Sequence, residues 1–105
     1  MADVPVYMIV NLSAIDDVET YRIYEKGFFP LLKKHGGEFV TFDDKAETFE
    51  GEQRLGGRVI IFKFPNEEAA KGWYADQQYQ DLSENRRVAT TLQFLTMVRG
   101  MPARG

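Results

Sequence analysis

The stretch Arg58–Phe64 is apolar on both sides of the strand that it predicts. Its sequence is RVIIFKF, and the large apolar residues occupy both parities: Val59 and Ile61 on one face, Ile60, Phe62 and Phe64 on the other. An antiparallel sheet with helices on one side alternates apolar and polar residues, because its other side faces water. A chain with this pattern therefore needs cover on both faces of its sheet.

Two further segments repeat the pattern, Val4–Leu12 and Leu92–Arg99, which predict the first and the last strand. Their apolar residues again point to both faces: Val6, Met8 and Val10 against Tyr7 and Ile9, and Phe94 and Val98 against Leu95 and Met97. Every long strand of the predicted sheet is thus apolar on the face that helices would cover and on the face that they would not.

A helix is predicted between the first two strands. Its apolar stripe runs from Val18 to Leu32, Asp17 and its neighbours place acidic groups in the first turn, and Gly36 follows the basic last turn. Pro30 removes one hydrogen bond within this helix, so we expect a kink between Gly27 and Pro30, or two helical pieces.

The remaining elements complete a ferredoxin-like pattern. Glu38–Phe42 and Ala46–Glu50 predict a hairpin, residues 51–57 a loop, and Asn66 the N-cap of a helix that breaks near Asp76. Apart from the short strand at residues 46–50, the order is β-α-β-β-α-β with a broken second helix, which predicts an α+β sandwich: an antiparallel sheet with helices on one face. Residues 1–105 are interpreted as one domain with a core at about 5–100 and a short C-terminal tail.

The helix-free face would be a larger exposed apolar patch than a monomer usually tolerates. The simplest cover is a second copy packed sheet against sheet, so we predict a homodimer through this face. The alternative is that the C-terminal tail or the loop at residues 51–57 folds over the sheet, although both are short and polar.

Composition excludes several other functions. The net charge of −3 provides no basic surface for nucleic acid or anionic lipid, and the absence of cysteine excludes disulfides and thiolate chemistry. The first residues lack the features of a signal peptide or a membrane span, so a cytoplasmic location is expected. The fingerprints of metal, phosphate-loop and dinucleotide sites are missing, and we predict no metal and no cofactor.

Arg86 is the strongest candidate for ligand binding. It shares a helix face with Tyr79, Leu82 and Ala89, which places a guanidinium beside apolar neighbours. An arginine cannot lose its charge, so it needs an anion. The partner is either an internal carboxylate or the carboxylate or phosphate of a ligand in a pocket between helix and sheet, unless the charged head reaches water.

The other candidates are aromatic or polar. Tyr21, Tyr24, Trp73, Tyr74 and Tyr79 could wall a cavity or simply pack in the core. Arg58 begins a strand and either meets a ligand or pairs with Glu50 or Glu52. Asn11 is either a turn residue or a donor to the pocket. His35, the single histidine, is interpreted as a group at the helix end, where it interacts with terminal carbonyls.

Several strings, spread from Val6 to Gly100, resemble the domain-of-unknown-function 1330 family. They are Tyr21-x-x-Tyr24, His35-Gly36-Gly37-Glu38-Phe39, Phe49-Glu50-Gly51, the strand Arg58–Phe64 followed by Pro65, Ala70-x-x-Trp73-Tyr74, Tyr79-Gln80, Arg86 and Val98-Arg99-Gly100. The resemblance implies a dimeric α/β barrel of ferredoxin-like subunits. It implies no catalytic residues, because the family has no established reaction, and the fold hosts oxygenases, haem enzymes, isomerases and ligand sensors alike.

Three functions compete at this point. The first is binding or conversion of a small acidic organic molecule in a cleft between helices and sheet, held by Arg86. The second is a non-catalytic dimeric sensor or accessory module. The third is haem handling, which would need His35 as axial ligand.

Overall fold

The computed structural model describes residues 4–101 as a layer of three helices on a four-stranded antiparallel sheet. The strands are β1 (Val6–Ile15), β2 (Glu38–Asp43), β3 (Arg58–Phe64) and β4 (Thr90–Arg99), in the order β2-β3-β1-β4. The helices are α1 (Val18–Lys34), α2 (Glu67–Ala75) and α3 (Gln77–Ala89). The predicted α+β, ferredoxin-like architecture is confirmed.

Helix α1 runs through Pro30 without interruption, so the expectation of two helical pieces is wrong. Pro30 and Lys26, whose carbonyl loses its helical partner, are both exposed, and water can satisfy that carbonyl. Asp17 caps the first turn by accepting a hydrogen bond from the backbone of Thr20. At the other end Gly36 takes a positive φ of 76°, which ends the helix.

The predicted hairpin between residues 38–42 and 46–50 is also wrong. Residues 44–57 form a long loop in which Phe49 is 90% exposed, and β2 pairs directly with β3. Pairing with β3 places Phe39 opposite Phe62 and Phe42 opposite Ile60. These cross-strand aromatic and branched pairs stabilise the sheet more than the polar segment at residues 46–50 can.

The break in the second helical region lies at Asp76, as predicted. Asn66 caps α2 by accepting from the backbone of Ala69, and Asp76 both ends α2 and caps α3 by accepting from Gln78. The chain changes direction between the two short helices, so that α3 packs against α1. The cavity described below lies between α1 and the sheet, and α3 contributes one residue to its lining.

The two faces of the sheet differ in cover. The centre of the helix-covered face is closed, since Val6, Met8, Val10, Phe62 and Phe64 are all 5% exposed or less, whereas Ile60, Leu95 and Met97 on the same face are partly buried. On the opposite face Val59 is buried, but the other large apolar side chains remain partly exposed; they are Tyr7, Ile9, Ile61, Phe94 and Val98. The chain is accordingly flat, with extents of 45 × 38 × 17 Å.

The two alternative covers for this face fare differently. The loop at residues 51–57 reaches only its corner, where Gly56 accepts a hydrogen bond from Asn11. The end of the predicted C-terminal tail, residues 102–105, lies outside the described residues. Within residues 4–101 no helix is both long and apolar enough to cross a membrane.

Candidate functional site

A cavity of about 160 Å³ lies between helix α1 and the covered face of the sheet. A cavity of roughly 150 Å³ is large enough to hold a benzene ring. The lining residues come from α1, three strands and α3: Tyr21, Tyr24, Glu25, Phe28, Phe29, Val10, Phe39, Phe42, Arg58, Ile60, Phe62 and Arg86. Four of the predicted candidates, Tyr21, Tyr24, Arg58 and Arg86, therefore share one apolar cavity.

Arg86 and Tyr24 are buried members of the cavity lining, and the part of the wall that they form is called the inner end below. The arginine is 2% exposed, and its Nε and Nη1 atoms have no hydrogen-bond partner. No carboxylate among residues 4–101 forms an ion pair with Arg86, so the alternative of an internal salt bridge does not hold. The alternative of a charged head in water does not hold either, because the side chain is buried. Its nearest electrostatic support is the ring of Tyr24, whose centroid lies 5.7 Å from the guanidinium carbon.

The Tyr24 hydroxyl forms a buried hydrogen bond with the hydroxyl of Tyr79, at an oxygen–oxygen distance of 2.8 Å. Burial raises the pKa of Tyr24 well above its ordinary value, and the neighbouring Tyr79 raises it further. The Tyr24 hydroxyl therefore stays protonated at neutral pH, and it either donates to the Tyr79 hydroxyl or accepts from it.

Arg58 lies at the rim of the cavity, beside Glu25, Phe29 and Phe42, which are all partly exposed. It pairs with Asp44 through two hydrogen bonds of 2.7 and 3.1 Å, and with Glu25 at 3.4 Å. The prediction that Arg58 pairs with Glu50 or Glu52 is wrong. Residues 46–50 do not form the predicted strand, and the carboxylate that lies beside Arg58 is that of Asp44. Arg58 in turn lowers the pKa of Asp44, and it lies 4.6 Å from the ring centroid of Phe42.

Trp73 and Tyr79 do not line the cavity. Both are fully buried, and their rings pack at a centroid distance of 4.0 Å in the core behind Tyr24 and Phe28. The Nε1 atom of Trp73 has no hydrogen-bond partner among the described residues. Tyr74 is 44% exposed on the outer surface of α2.

Asn11 also lies outside the cavity lining. Its Nδ2 donates to the carbonyls of Gly56 and Arg58, at 2.9 and 3.2 Å. Gly57 has a positive φ of 73°, and a Cβ there would collide with the backbone of Leu12. Asn11 thus fastens the end of the 44–57 loop against β1.

His35 lies at the C-cap of α1, as predicted, and its backbone N–H donates to the Leu32 carbonyl, but its imidazole contacts a carboxylate instead of the terminal carbonyls. Its Nε2 donates to Asp76 at 2.8 Å, and Lys34 reaches the same carboxylate oxygen at 3.0 Å, so the pair joins the end of α1 to the start of α3. These contacts hold the pKa of Asp76 far below its usual range. His35 does not line the cavity, and residues 4–101 contain no cluster of His, Asp and Glu suited to a metal ion.

The sequence interpretation missed several lining residues. Glu25 follows Tyr21 by four positions, so helical spacing could have placed both on one face. Phe39 and Phe42 are three residues apart, which predicts opposite faces of a strand. A β-bulge between Phe39 and Thr41 shifts the register and puts both rings on the cavity side, 6.2 Å apart.

Solved structures with the same fold are distant in sequence. An RPA0582 protein of unknown function from Rhodopseudomonas palustris superposes with a TM-score of 0.73 at 18% identity, over 98% of this chain and 85% of that one. A nipsnap family protein of unknown function from Agrobacterium tumefaciens gives 0.62 at 16%, over 98% and 91%. SnoaB, a cofactor-independent oxygenase from Streptomyces nogalater, gives 0.56 at 11%, over 100% and 97%.

These likenesses show the fold alone, because all of the identities are low. No curated protein matches the chain. The family model described as domain of unknown function DUF1330 matches residues 5–101, which contain the cavity and every residue that lines it. The chain therefore belongs to the DUF1330 family.

Proposed function

We propose that the protein binds a small organic acid in the cavity between α1 and the sheet. The observation that carries this proposal is the buried guanidinium of Arg86, which has a permanent charge and no anionic partner. A buried charge without a partner is costly, and a charge-assisted hydrogen bond to a carboxylate is the strongest contact that would compensate it.

The rest of the lining restricts the size and the chemical class of the ligand that the cavity can hold. The walls are mainly aromatic and branched side chains, and the volume of about 160 Å³ suits one six-membered ring. Arg58 is already paired with Asp44 and Glu25, so the cavity has one uncompensated positive charge rather than two. We infer a monocarboxylate with a compact apolar body as the preferred ligand.

The same geometry favours binding over conversion, as a ligand sensor or accessory module would need. Tyr24 keeps its proton at neutral pH, and Glu25, the carboxylate within the lining, has a side chain that is 44% exposed at the rim. Neither is placed as a buried general base. The oxygenase activity in the name of SnoaB belongs to that protein, and the cavity of this chain gives no independent support for it.

The test is a titration of the purified protein with benzoate, phenylacetate and cyclohexanecarboxylate, each against its neutral amide, by calorimetry and thermal shift. We expect the acids to bind and to raise the melting temperature, and the amides to bind at least tenfold more weakly. Arg86→Met should weaken acid binding by about 10- to 100-fold, as expected for loss of a hydrogen bond to a charged group.

Arg87→Met is the matched control, since Arg87 is the next residue of α3 but is exposed and paired with Glu84. It should leave binding unchanged. Equal affinity of acids and amides, or unaltered acid binding by Arg86→Met, would contradict the proposal. Analysis of the recovered ligand by NMR then distinguishes binding from conversion.

We also propose that two copies pair through the helix-free face of the sheet. Support comes from Tyr7, Ile9 and Ile61, which are large, adjacent across β1 and β3, and only half-buried in the single chain. Light scattering should give the mass of a dimer, and Ile9→Glu should give a folded monomer. Ile23→Glu, on the exposed side of α1, should stay dimeric; a monomeric wild-type protein would contradict the proposal. A cytoplasmic location stays a prediction from the sequence.

A further inference from the structure

We propose that Tyr79 is a positioning residue that turns the Tyr24 hydroxyl into a fixed donor toward the cavity. The inner end of the cavity then presents only hydrogen-bond donors, and it selects a ligand group that accepts hydrogen bonds without donating any. This inference rests on the proposed function, because the selected group is the carboxylate that Arg86 would bind.

The two hydroxyls are close, but they have unequal surroundings. Their oxygens are 2.8 Å apart, Tyr24 lines the cavity, and Tyr79 is 0% exposed and does not line it. One hydroxyl donates to the other, which leaves the second proton in need of an acceptor. The direction of the bond therefore decides where that second proton lies.

If Tyr24 donated, the proton of Tyr79 would be left in a closed aromatic interior. The nearest ring there is Trp73, with a centroid distance of 4.0 Å, and the described residues provide no second acceptor for this hydroxyl. The Ser83 hydroxyl donates to the backbone carbonyl of Tyr79 at 2.8 Å, and no hydrogen bond joins it to the Tyr79 hydroxyl. An unmade hydrogen bond at a buried donor is expensive, so this direction is disfavoured.

If Tyr79 donates, the remaining proton belongs to Tyr24, whose side chain lines the cavity. A ligand oxygen can then accept it. The Arg86 guanidinium beside the Tyr24 ring also donates and never accepts. A carboxylate oxygen satisfies both groups, whereas the NH₂ of an amide or the O–H of an alcohol would meet a second donor.

The experiment compares the ratio of benzoate to benzamide affinity in the wild-type protein, Tyr79→Phe and Tyr74→Phe. Removal of the Tyr79 hydroxyl frees Tyr24 to rotate and to accept as well as donate. We expect benzoate to bind about threefold to tenfold more weakly to Tyr79→Phe, with benzamide unchanged or tighter, so that the ratio falls by at least threefold. Tyr74→Phe, which alters a ring beside Tyr79 but outside the cavity, should keep the wild-type ratio.

Each outcome separates the two proposals. A ratio that is unchanged in Tyr79→Phe, while Arg86→Met still weakens benzoate binding by at least about tenfold, overturns the role of Tyr79 and leaves the proposed function intact. Benzoate binding that is indifferent to Arg86→Met overturns the proposed function itself.

A second variant covers the case in which Tyr79→Phe does not fold. Tyr24→Phe should lower the ratio at least as much, because it removes the donor directly, and an unchanged ratio would again overturn the inference. Where all variants fold, Tyr24→Phe/Tyr79→Phe should have the ratio of Tyr24→Phe alone. An additional loss in the double variant would show that Tyr79 acts independently of Tyr24, which contradicts a positioning role.

Discussion

Arg58 and Arg86 line the same cavity, but they have opposite electrostatic surroundings. Arg58 lies at the rim with two carboxylates, Asp44 and Glu25, whereas Arg86 is buried at the inner end with aromatic neighbours and no carboxylate. The charge of Arg58 is compensated by carboxylates of the protein itself, whereas the charge of Arg86 has no such partner. The difference predicts that Arg58 stabilises the folded protein, whereas Arg86, in its proposed role as a ligand-binding residue, lowers the stability of the ligand-free protein.

The largest expected effect in the ligand-free protein is a stabilisation by Arg86→Met. Methionine keeps the apolar length of the side chain and removes a desolvated charge, so the free energy of unfolding should rise by about 1–4 kcal/mol. Urea denaturation of the wild-type protein and the variant measures this difference. Arg87→Met should change it by less than about 0.5 kcal/mol, because Arg87 is a surface residue.

A lower stability of Arg86→Met would break the comparison, since it would show that the protein itself compensates this charge. Addition of benzoate sharpens the result. The ligand should stabilise the wild-type protein and not the variant, which reverses or reduces the difference between them.

A smaller effect of the opposite sign is expected at the rim. Arg58→Met removes the paired contacts with Asp44 and the contact with the Phe42 ring, and it should lower the free energy of unfolding by about 1 kcal/mol. The same denaturation experiment measures it. Arg54→Met, in the exposed part of the 44–57 loop, should have no effect, and a neutral Arg58→Met would show that the rim pair is screened by solvent.

The smallest expected effect is a pH dependence of the stability that the Arg58–Asp44 pair at the rim contributes. Arg58 lowers the pKa of Asp44 in the folded state, so this pair stabilises the protein above the unfolded pKa of about 3.9 and loses its contribution as the pH falls below that value. The difference in melting temperature between wild type and Arg58→Met should therefore shrink from pH 7 to pH 3. The difference between wild type and Arg86→Met should stay nearly constant, since no described carboxylate pairs with Arg86.

Most of the fold was predictable because it depends on local patterns. The two-sided apolar runs, the caps at Asn66 and Asp76, and the glycine after α1 all act within a few residues. The hairpin at residues 38–50 failed for a physical reason: strand pairing is decided by which partner buries more apolar surface, and β3 lies outside the window of a local pattern.

The candidate site was predictable in part. Helical spacing placed Arg86 among apolar neighbours, and it placed Tyr21 and Tyr24 on one face of α1. It could not place Trp73 and Tyr79 behind the cavity rather than in its wall, because both sets have the same spacing and the same chemistry. Nor could it find Phe42, which a β-bulge turns toward the cavity.

The sequence by itself determined the α+β architecture, the apolar character of both sheet faces and the presence of an arginine on an apolar helix face, because each of these follows from the order of neighbouring residues. The tertiary structure decided which arginine has a partner. Asp44 and Glu25 are 14 and 33 positions from Arg58 in the chain, and their electrostatic effect depends on distances in space that no spacing in the sequence specifies.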